Sequence, residues 1–221
     1  MQKIHTQDGS ETFVNKQYNE SYHSFTGAVE EAREKYCIPT KIKERAIQNQ
    51  EITILDFAFG MGYNSAMAIA LAKEANPHCK ITVIGLENDP KIIEKIQEVN
   101  PEIPGFEFYK EITAQNLTIE SDDKSVNVTV FLNDAQEAIT EIEDASIDVV
   151  FYDPFSPKTQ PEMWSKELFQ EIKRVIKTTT GVLATYSCAR MVRDNIKAAG
   201  LEFKDGPKVG RRGPGTLVWK E

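Results

Sequence analysis

The chain has 221 residues, of which 40% are hydrophobic, enough for one good-sized core and little more than one domain. Its net charge of −8 argues against a protein wholly wrapped by nucleic acid, although the segment from residue 190 onward is basic. The three cysteines, Cys37, Cys79 and Cys188, form no Cys-x-x-Cys pair, so neither a disulfide framework nor a zinc site is expected. No signal peptide or membrane-spanning stretch is apparent, and we expect a cytoplasmic protein without a metal.

Residues 1–50 are interpreted as an N-terminal extension or lid that precedes a main domain of residues 51–221. Asp8-Gly9 predicts a tight turn between short strands at residues 3–7 and 11–15. A polar and aromatic segment, residues 19–27, can line a ligand pocket. Its His23 is interpreted first as a surface or hydrogen-bonded loop histidine. Helices are expected at residues 28–36 and from Pro39 to about Gln48.

The stretch from Glu51 to Ser65 predicts a strand, a tight turn and a helix. Its apolar run is typical of a strand buried on both faces of a parallel sheet. Gly60 and Gly62 then allow a positive φ and let a ligand approach bare backbone at the start of the helix. A nucleotide-like ligand is therefore expected at this turn.

The remaining chain alternates strands and helices, as in a doubly wound α/β sheet. Strands are predicted at residues 81–87, 126–132, 147–152 and 181–186, with a closing antiparallel pair at residues 201–204 and 215–219. Helices are predicted at residues 66–74, from residue 89, at residues 136–142, from Pro161, and at residues 191–199. An insertion at residues 100–125 is expected to contain one short strand, residues 106–109.

Ligands of such sheets bind outside the carboxyl ends of the strands, where Glu87, Asp134 and Asp153 are all predicted to lie. Ser65 stands where a dinucleotide motif has its third glycine, and the Lys of a phosphate-binding loop is absent. The pattern that remains resembles the S-adenosylmethionine site of class I methyltransferases. That resemblance implies that Asp56 and the turn hold the methionine part, Glu87 the ribose and Asp134 the adenine amino group. Asp134 is equally well interpreted as a helix N-cap, and both roles can hold.

Asp153-Pro154-Phe155 resembles the Asp/Asn-Pro-Pro-aromatic motif of methyltransferases that act on amino nitrogens. An amine attacks only when neutral, so a carboxylate that accepts its N–H bonds both orients the lone pair and receives the proton. Asp153 is expected in that role, and Phe155 is expected to stack on an extruded base. The alternative is that Asp153 simply forms a turn beside Pro154.

Over almost its whole length the chain is similar to the tRNA 5-methylaminomethyl-2-thiouridine methyltransferases, which comprise the methyltransferase domain of MnmC and the stand-alone MnmD proteins. The match is carried by four segments: residues 8–10 with 22–24 and 27–31, residues 55–64, residues 152–157 with 161–164, and residues 185–193 with 198–200. The resemblance implies an S-adenosylmethionine-dependent methyltransferase that modifies the aminomethyl group of a tRNA wobble uridine. Without a flavin-binding second domain in this chain, a separate enzyme is expected to make the aminomethyl-uridine precursor.

The resemblance also implies the members of each part of the site. The catalytic residues would be Asp153 and Phe155. The cofactor-binding residues would be Asp56, Phe59, Gly60, Gly62, Asn64, Glu87, Asn88, Asp134, Ala135 and Asp153. The substrate or RNA contacts would come from Tyr22, His23, Ser24, Glu31, Pro154, Arg190, Arg193, Lys208, Arg211 and Arg212.

Two other functions stay open at this point. Polyamine aminopropyltransferases share the fold, the glycine turn and an acidic loop after the fourth strand, but they transfer a different group to a free amine. A catalytically idle adenosyl-binding or RNA-binding module is the other alternative, because the family's Asp-Ala-Phe is Asp-Pro-Phe here and its late arginine loop is altered.

Overall fold

The computed structural model describes residues 1–210 and 213–220. The first quarter of the chain contains three strands and three helical segments. These are β1 (Gln2–His5), β2 (Glu11–Asn15), β3 (Glu20–Ser21), α1 (Ala28–Glu31), a π-helical segment (Ala32–Cys37) and α2 (Ile42–Gln48). Strands β1, β2 and β3 form a small antiparallel sheet.

The rest of the described chain alternates strands with helices. The strands are β4 (Glu51–Phe57), β5 (Lys80–Glu87), β6 (Thr118–Glu120), β7 (Val126–Leu132), β8 (Val149–Tyr152), β9 (Val182–Thr185), β10 (Glu202–Asp205) and β11 (Thr216–Trp219). The α-helices are α3 (Tyr63–Ala75), α4 (Pro90–Ile93), α5 (Ala135–Ala138), α6 (Lys166–Val175) and α7 (Arg190–Ala198). Short 3₁₀ helices lie at Glu94–Glu98, Phe106–Glu111, Ile139–Glu141 and Pro161–Trp164.

The main sheet has the order β10-β11-β9-β8-β4-β5-β7-β6, and its five inner strands from β9 to β7 are parallel. From β4 the chain runs outward through β5 and β7, then returns to β8 on the other side of β4. Strand β11 is antiparallel to β9 and to β10. This order confirms the predicted class I methyltransferase fold with its final antiparallel strand. Its switch point between β4 and β8 is the expected ligand position.

Two apolar clusters cover the two faces of the sheet, because successive strand residues point to opposite sides. In β4, Ile52 and Ile54 belong to one cluster, whereas Leu55 and Phe57 belong to the other. The first cluster also contains Phe13 and Tyr36 from the N-terminal residues. The expected boundary at residue 50 stays a prediction, since the residues on both sides of it share this core.

Several predicted elements differ from the structure. The predicted strand at residues 106–109 is wrong, because Gly105 has a φ of +80° and starts a 3₁₀ helix instead. Phe106 and Tyr109 are three residues apart and stack with their ring centroids 5.7 Å apart, a helical spacing rather than a strand alternation. Strand β6 was not predicted, and it forms the edge of the sheet by pairing antiparallel with β7.

Two helix starts also differ. Lys41, with a φ of +60°, delays the helix expected from Pro39 until Ile42. The helix expected from Pro161 is divided at Ser165, whose hydroxyl accepts a hydrogen bond from the Leu168 amide as the N-cap of α6. Among the described residues, no helix has the length and apolar character needed to cross a membrane.

Candidate active site

A cavity of about 330 Å³ lies at the carboxyl ends of β4, β5 and β8, and we call it the turn cavity. Its walls come from the turn after β4, the end of β5, the loop after β8 and the hairpin of β2 and β3, here called the N-terminal hairpin. The lining residues are Asn15, Gln17, Tyr18, Tyr22, His23, Ala58, Phe59, Gly60, Asn64, Leu86, Glu87, Asn88, Asp89, Lys91, Ala135, Asp153, Pro154, Phe155, Gln160 and Met163.

The glycine turn contributes its two glycines in different ways. A Cβ on Gly60, whose φ is +56°, would meet nothing closer than the Tyr22 ring at 3.6 Å, so this glycine presents bare backbone to the cavity. A Cβ on Gly62 would lie 2.5 Å from Phe59 Cζ and 2.6 Å from Tyr109 Cε1. Gly62 is therefore required by packing beneath the turn rather than by ligand access.

Glu87 ends β5 and ties the turn to that strand. One carboxylate oxygen accepts the Gly60 amide at 2.8 Å, and the other accepts the Asn88 and Asp89 amides at 2.9 Å each. Burial raises the pKa of Glu87, and these three hydrogen bonds oppose the rise. Glu87 is 7% exposed and lines the cavity, so its carboxylate can still accept hydrogen bonds from hydroxyl groups of a ligand.

Asp56 supports the turn from below. Its side chain is fully buried, and one oxygen accepts the Ser65 amide of α3 at 3.1 Å while the other has no hydrogen-bond partner among the described residues. Burial raises its pKa to about 7. It does not line the turn cavity. Its expected contact with a methionine moiety stays a prediction.

Asp153 directly follows β8 and reaches the cavity from the strand next to β4. The Tyr36 hydroxyl donates to Asp153 Oδ1 at 2.5 Å, and the Asn64 amide group donates to Oδ2 at 3.3 Å. Desolvation raises the pKa of Asp153 to about 8 and nearby Glu31 adds to the rise, while Tyr36, Lys35 and Asn64 oppose it. A carboxyl group that titrates near neutral pH is suited to proton transfer.

A second cavity of about 510 Å³, here called the loop cavity, adjoins the turn cavity. Both are lined by the same five residues, Tyr22, His23, Asp153, Pro154 and Phe155. The loop cavity is further lined by Asn19, Glu20, Ser21, Ser24, Phe25, Thr26, Glu31, Ser156, Tyr186 and Gly210. Asp153 therefore lies at the junction of two spaces, as an enzyme that joins two ligands requires.

The N-terminal hairpin is held against the loop after β8. Glu20 accepts hydrogen bonds from the Ser156 amide at 2.9 Å, from the Ser156 hydroxyl and from the Thr159 hydroxyl. The Phe155 ring packs against Tyr18 and Tyr22, with centroid distances of 5.0 and 5.1 Å. The hairpin thus forms one wall of each cavity.

Comparisons with known proteins agree with this geometry. A family model described as S-adenosyl-L-methionine-dependent methyltransferase matches residues 102–221. The crystal structure of MnmC2 from Aquifex aeolicus superposes with a TM-score of 0.86 at 32% identity, and the match covers 99% of this chain and 70% of that one. The chain belongs to the S-adenosylmethionine-dependent methyltransferases of the MnmC type.

Two curated relatives extend the comparison. The bifunctional tRNA 5-methylaminomethyl-2-thiouridine biosynthesis protein MnmC of Leptospira interrogans is 26% identical over 91% of this chain. The match spans about a third (32%) of that relative's length. An uncharacterized protein of Methanocaldococcus jannaschii is 28% identical over 98% of this chain and 59% of its own length.

The methyltransferase site fits its cofactor, S-adenosylmethionine. The cavity offers bare backbone at Gly60, the Glu87 carboxylate for hydroxyl groups, and Asn64, whose side-chain oxygen is buried without a hydrogen-bond partner. An orphaned buried acceptor beside a polar cavity is a ready partner for a ligand donor. Phe59, Asn88 and Ala135 also line the turn cavity.

The structure brings only some of the other expected residues to the cavities. Asp134 is exposed, lines neither cavity, and accepts the Gln136 amide at 2.8 Å as the N-cap of α5. Its contact with adenine stays a prediction. His23 is buried, bonded to the Thr12 hydroxyl and stacked on Tyr63, and burial lowers its pKa to about 4.

The expected RNA contacts have different environments. Arg193 bonds Asp205 at 2.6 Å and the Thr216 hydroxyl, so its guanidinium braces α7 against the closing strands. Arg190 and Lys208 are exposed, and neither lines a cavity described above. Arg211 and Arg212 lie outside the described residues.

Sequence reasoning missed several residues of the site. Tyr18, Asp89, Gln160 and Met163 line the turn cavity, and Tyr36 bonds Asp153. Asp89 could have been predicted, because it follows Glu87 by two residues at the same strand end. Tyr36 carried no local signal, because it lies 117 residues before its partner.

Proposed function

We propose that this methyltransferase modifies an amino nitrogen on the wobble uridine of tRNA, with Asp153 as the proton acceptor. The observation that carries the proposal is the position of Asp153 at the junction of the turn and loop cavities. The similarity to the Leptospira tRNA 5-methylaminomethyl-2-thiouridine biosynthesis protein supports the choice of a tRNA aminomethyl-uridine.

When bound, S-adenosylmethionine supplies a methyl group that is already activated toward nucleophiles. The residues of the chain therefore have to align the acceptor and manage its proton. Phe59, Gly60, Asn64 and Glu87 would hold the cofactor in the turn cavity.

The acceptor nitrogen would enter through the loop cavity, where Glu20 and Asp153 favour an ammonium group, whereas the charge of Glu31 is balanced by Lys35. An alkylammonium must lose a proton before its lone pair can attack, and Asp153 is placed to take that proton. Phe155 and Tyr22 would bound the space for the base. A tRNA substrate also places the protein in the cytoplasm, where a separate enzyme would supply the aminomethyl-uridine.

The test is to incubate the protein with bulk tRNA and methyl-labelled S-adenosylmethionine and to analyse the nucleosides by mass spectrometry. We expect label on an aminomethyl-uridine, and a loss of at least about 100-fold in the rate for Asp153→Asn with donor affinity unchanged. Asp122→Asn, at an exposed position in the turn before β7, is the matched control.

Two outcomes would contradict the proposal. Methyl label that leaves as methylthioadenosine, while small polyamines gain an aminopropyl group and tRNA gains nothing, would indicate an aminopropyltransferase-like activity on free amines. Donor binding without transfer to any tRNA would indicate an idle binding module.

A further inference from the structure

We propose that Tyr36 is a positioning residue, which holds the Asp153 carboxylate in one orientation and leaves Oδ2 as the oxygen that receives the acceptor proton. This inference rests on the proposed function for the identity of the acceptor and for Asp153 as the group that takes its proton. Tyr36 is fully buried, and its hydroxyl donates to Asp153 Oδ1 at 2.5 Å. The competing contact from Asn64 to Oδ2 is longer, at 3.3 Å. The two carboxylate oxygens are therefore unequal before any substrate binds.

The π-helical segment brings Tyr36 to this position. Within it the Ile38 amide bonds the Arg33 carbonyl, five residues earlier, at 2.9 Å. Lys35 and Tyr36 are both buried although they are neighbours in sequence. Single π turns inside helices occur frequently at functional sites.

The other titratable groups around Asp153 do not take over the role of Tyr36 as the hydrogen-bond donor to Asp153 Oδ1. Glu31 and Lys35 form a buried ion pair with each other, and the Ser24 amide also donates to Glu31 at 2.9 Å. Tyr186, which follows β9, donates its hydroxyl to the Pro154 carbonyl at 3.0 Å. Buried His23 shares both cavities with Asp153, and burial lowers its pKa to about 4, so it is neutral at the working pH.

The proton therefore has one destination. The acceptor N–H proton passes to Asp153 Oδ2, and Tyr36 keeps its own proton because burial and the Asp153 charge raise its pKa. A hydrogen bond donated to a carboxylate favours the ionised form. Removing the Tyr36 hydroxyl should make Asp153 harder to ionise.

The experiment compares the wild type with Tyr36→Phe, which keeps the ring and its edge contact with Phe151. We expect the acidic limb of the kcat/KM profile to move upward by about one to two pH units. The rate at pH 7 should fall about 10- to 100-fold and recover at higher pH, while the donor Kd stays within about twofold. Tyr109→Phe is the control, since it removes another buried tyrosine hydroxyl, whereas the hydroxyl that donates to Asp153 Oδ1 is that of Tyr36.

A second measurement does not depend on the acceptor. The ¹³C carboxyl resonance of Asp153, identified by its loss in Asp153→Asn, should titrate at a higher pH in Tyr36→Phe than in the wild type. An unchanged titration, or a rate loss equal at every pH, would overturn the role of Tyr36. If the wild type methylates no tRNA, the proposed function fails, and the carboxyl titration still decides the inference about Tyr36.

Discussion

The backbone amide of Gly60 donates a 2.8 Å hydrogen bond to the Glu87 carboxylate, which joins the turn after β4 to the end of β5. Because Glu87 also accepts the Asn88 and Asp89 amides, both of its oxygens are engaged by backbone donors. The same carboxylate lines the turn cavity. Donor binding and the shape of the turn therefore depend on one side chain.

Glu87→Gln is expected to weaken S-adenosylmethionine binding. Whichever way the amide is turned, its NH₂ group faces a backbone N–H, and one acceptor for the ligand is lost. We expect the donor Kd, measured by calorimetry, to rise about 10- to 100-fold. Glu167→Gln, at an exposed position in the first turn of α6, should leave the Kd unchanged. Equal affinity in Glu87→Gln and the wild type would remove Glu87 from the binding site.

The contact between Glu20 and Ser156 should control how long the donor stays bound. Glu20→Gln and Ser156→Ala each weaken the attachment of the hairpin to the loop after β8. We expect each to raise the donor dissociation rate about 3- to 10-fold in stopped-flow experiments. The double variant should show less than the sum of the two effects, since both remove the same contact. Strict additivity would mean that the hairpin is held in another way.

Gly62→Ala should destabilise the fold more than Gly105→Ala does. Both glycines have positive φ, +73° and +80°, so both alanine variants carry backbone strain. Only at position 62 would the new Cβ collide, with Phe59 and Tyr109, whereas nothing lies within 4 Å at position 105. We expect Gly62→Ala to lose an additional ~1–3 kcal/mol of unfolding free energy in urea titrations. Similar losses at the two positions would show that backbone strain alone makes Gly62 necessary.

Asp56 should make stability depend on pH. Burial raises its pKa from 3.8 to about 7, so the folded state binds this proton more tightly than the unfolded state. The resulting stabilisation is complete below about pH 4 and is lost as the pH rises through about 7. The Asp56→Asn variant has no carboxyl group to ionise at this position. Its unfolding free energy should therefore rise relative to that of the wild type as the pH increases across that range. A difference that stays constant with pH would contradict the raised pKa of Asp56.

Much of the fold could be predicted because strand and helix periodicities are local properties. The inner strands agree with the buried apolar runs to within about two residues, and Glu87 and Asp153 lie at strand ends as expected. The strand predicted within the insertion was wrong, because the segment after Gly105 has a three-residue period that, over so few residues, resembles a short apolar strand. The sequence also did not predict that Asp56 lies outside the lining of the turn cavity. The reason is that a sequence does not tell which side of a turn a buried strand residue faces.

By itself the sequence determined the alternation of elements, the glycine turn and the acids that end the strands, because each depends on a few neighbouring residues. Only the tertiary structure decided which of these groups meet. Strand β8 lies beside β4, although about ninety residues separate them, and this pairing places Asp153 next to the glycine turn. Packing of the N-terminal residues on the same sheet then brings Tyr36 to Asp153 and Glu20 to Ser156. Such contacts follow from burial of apolar surface between distant segments, which no local pattern encodes.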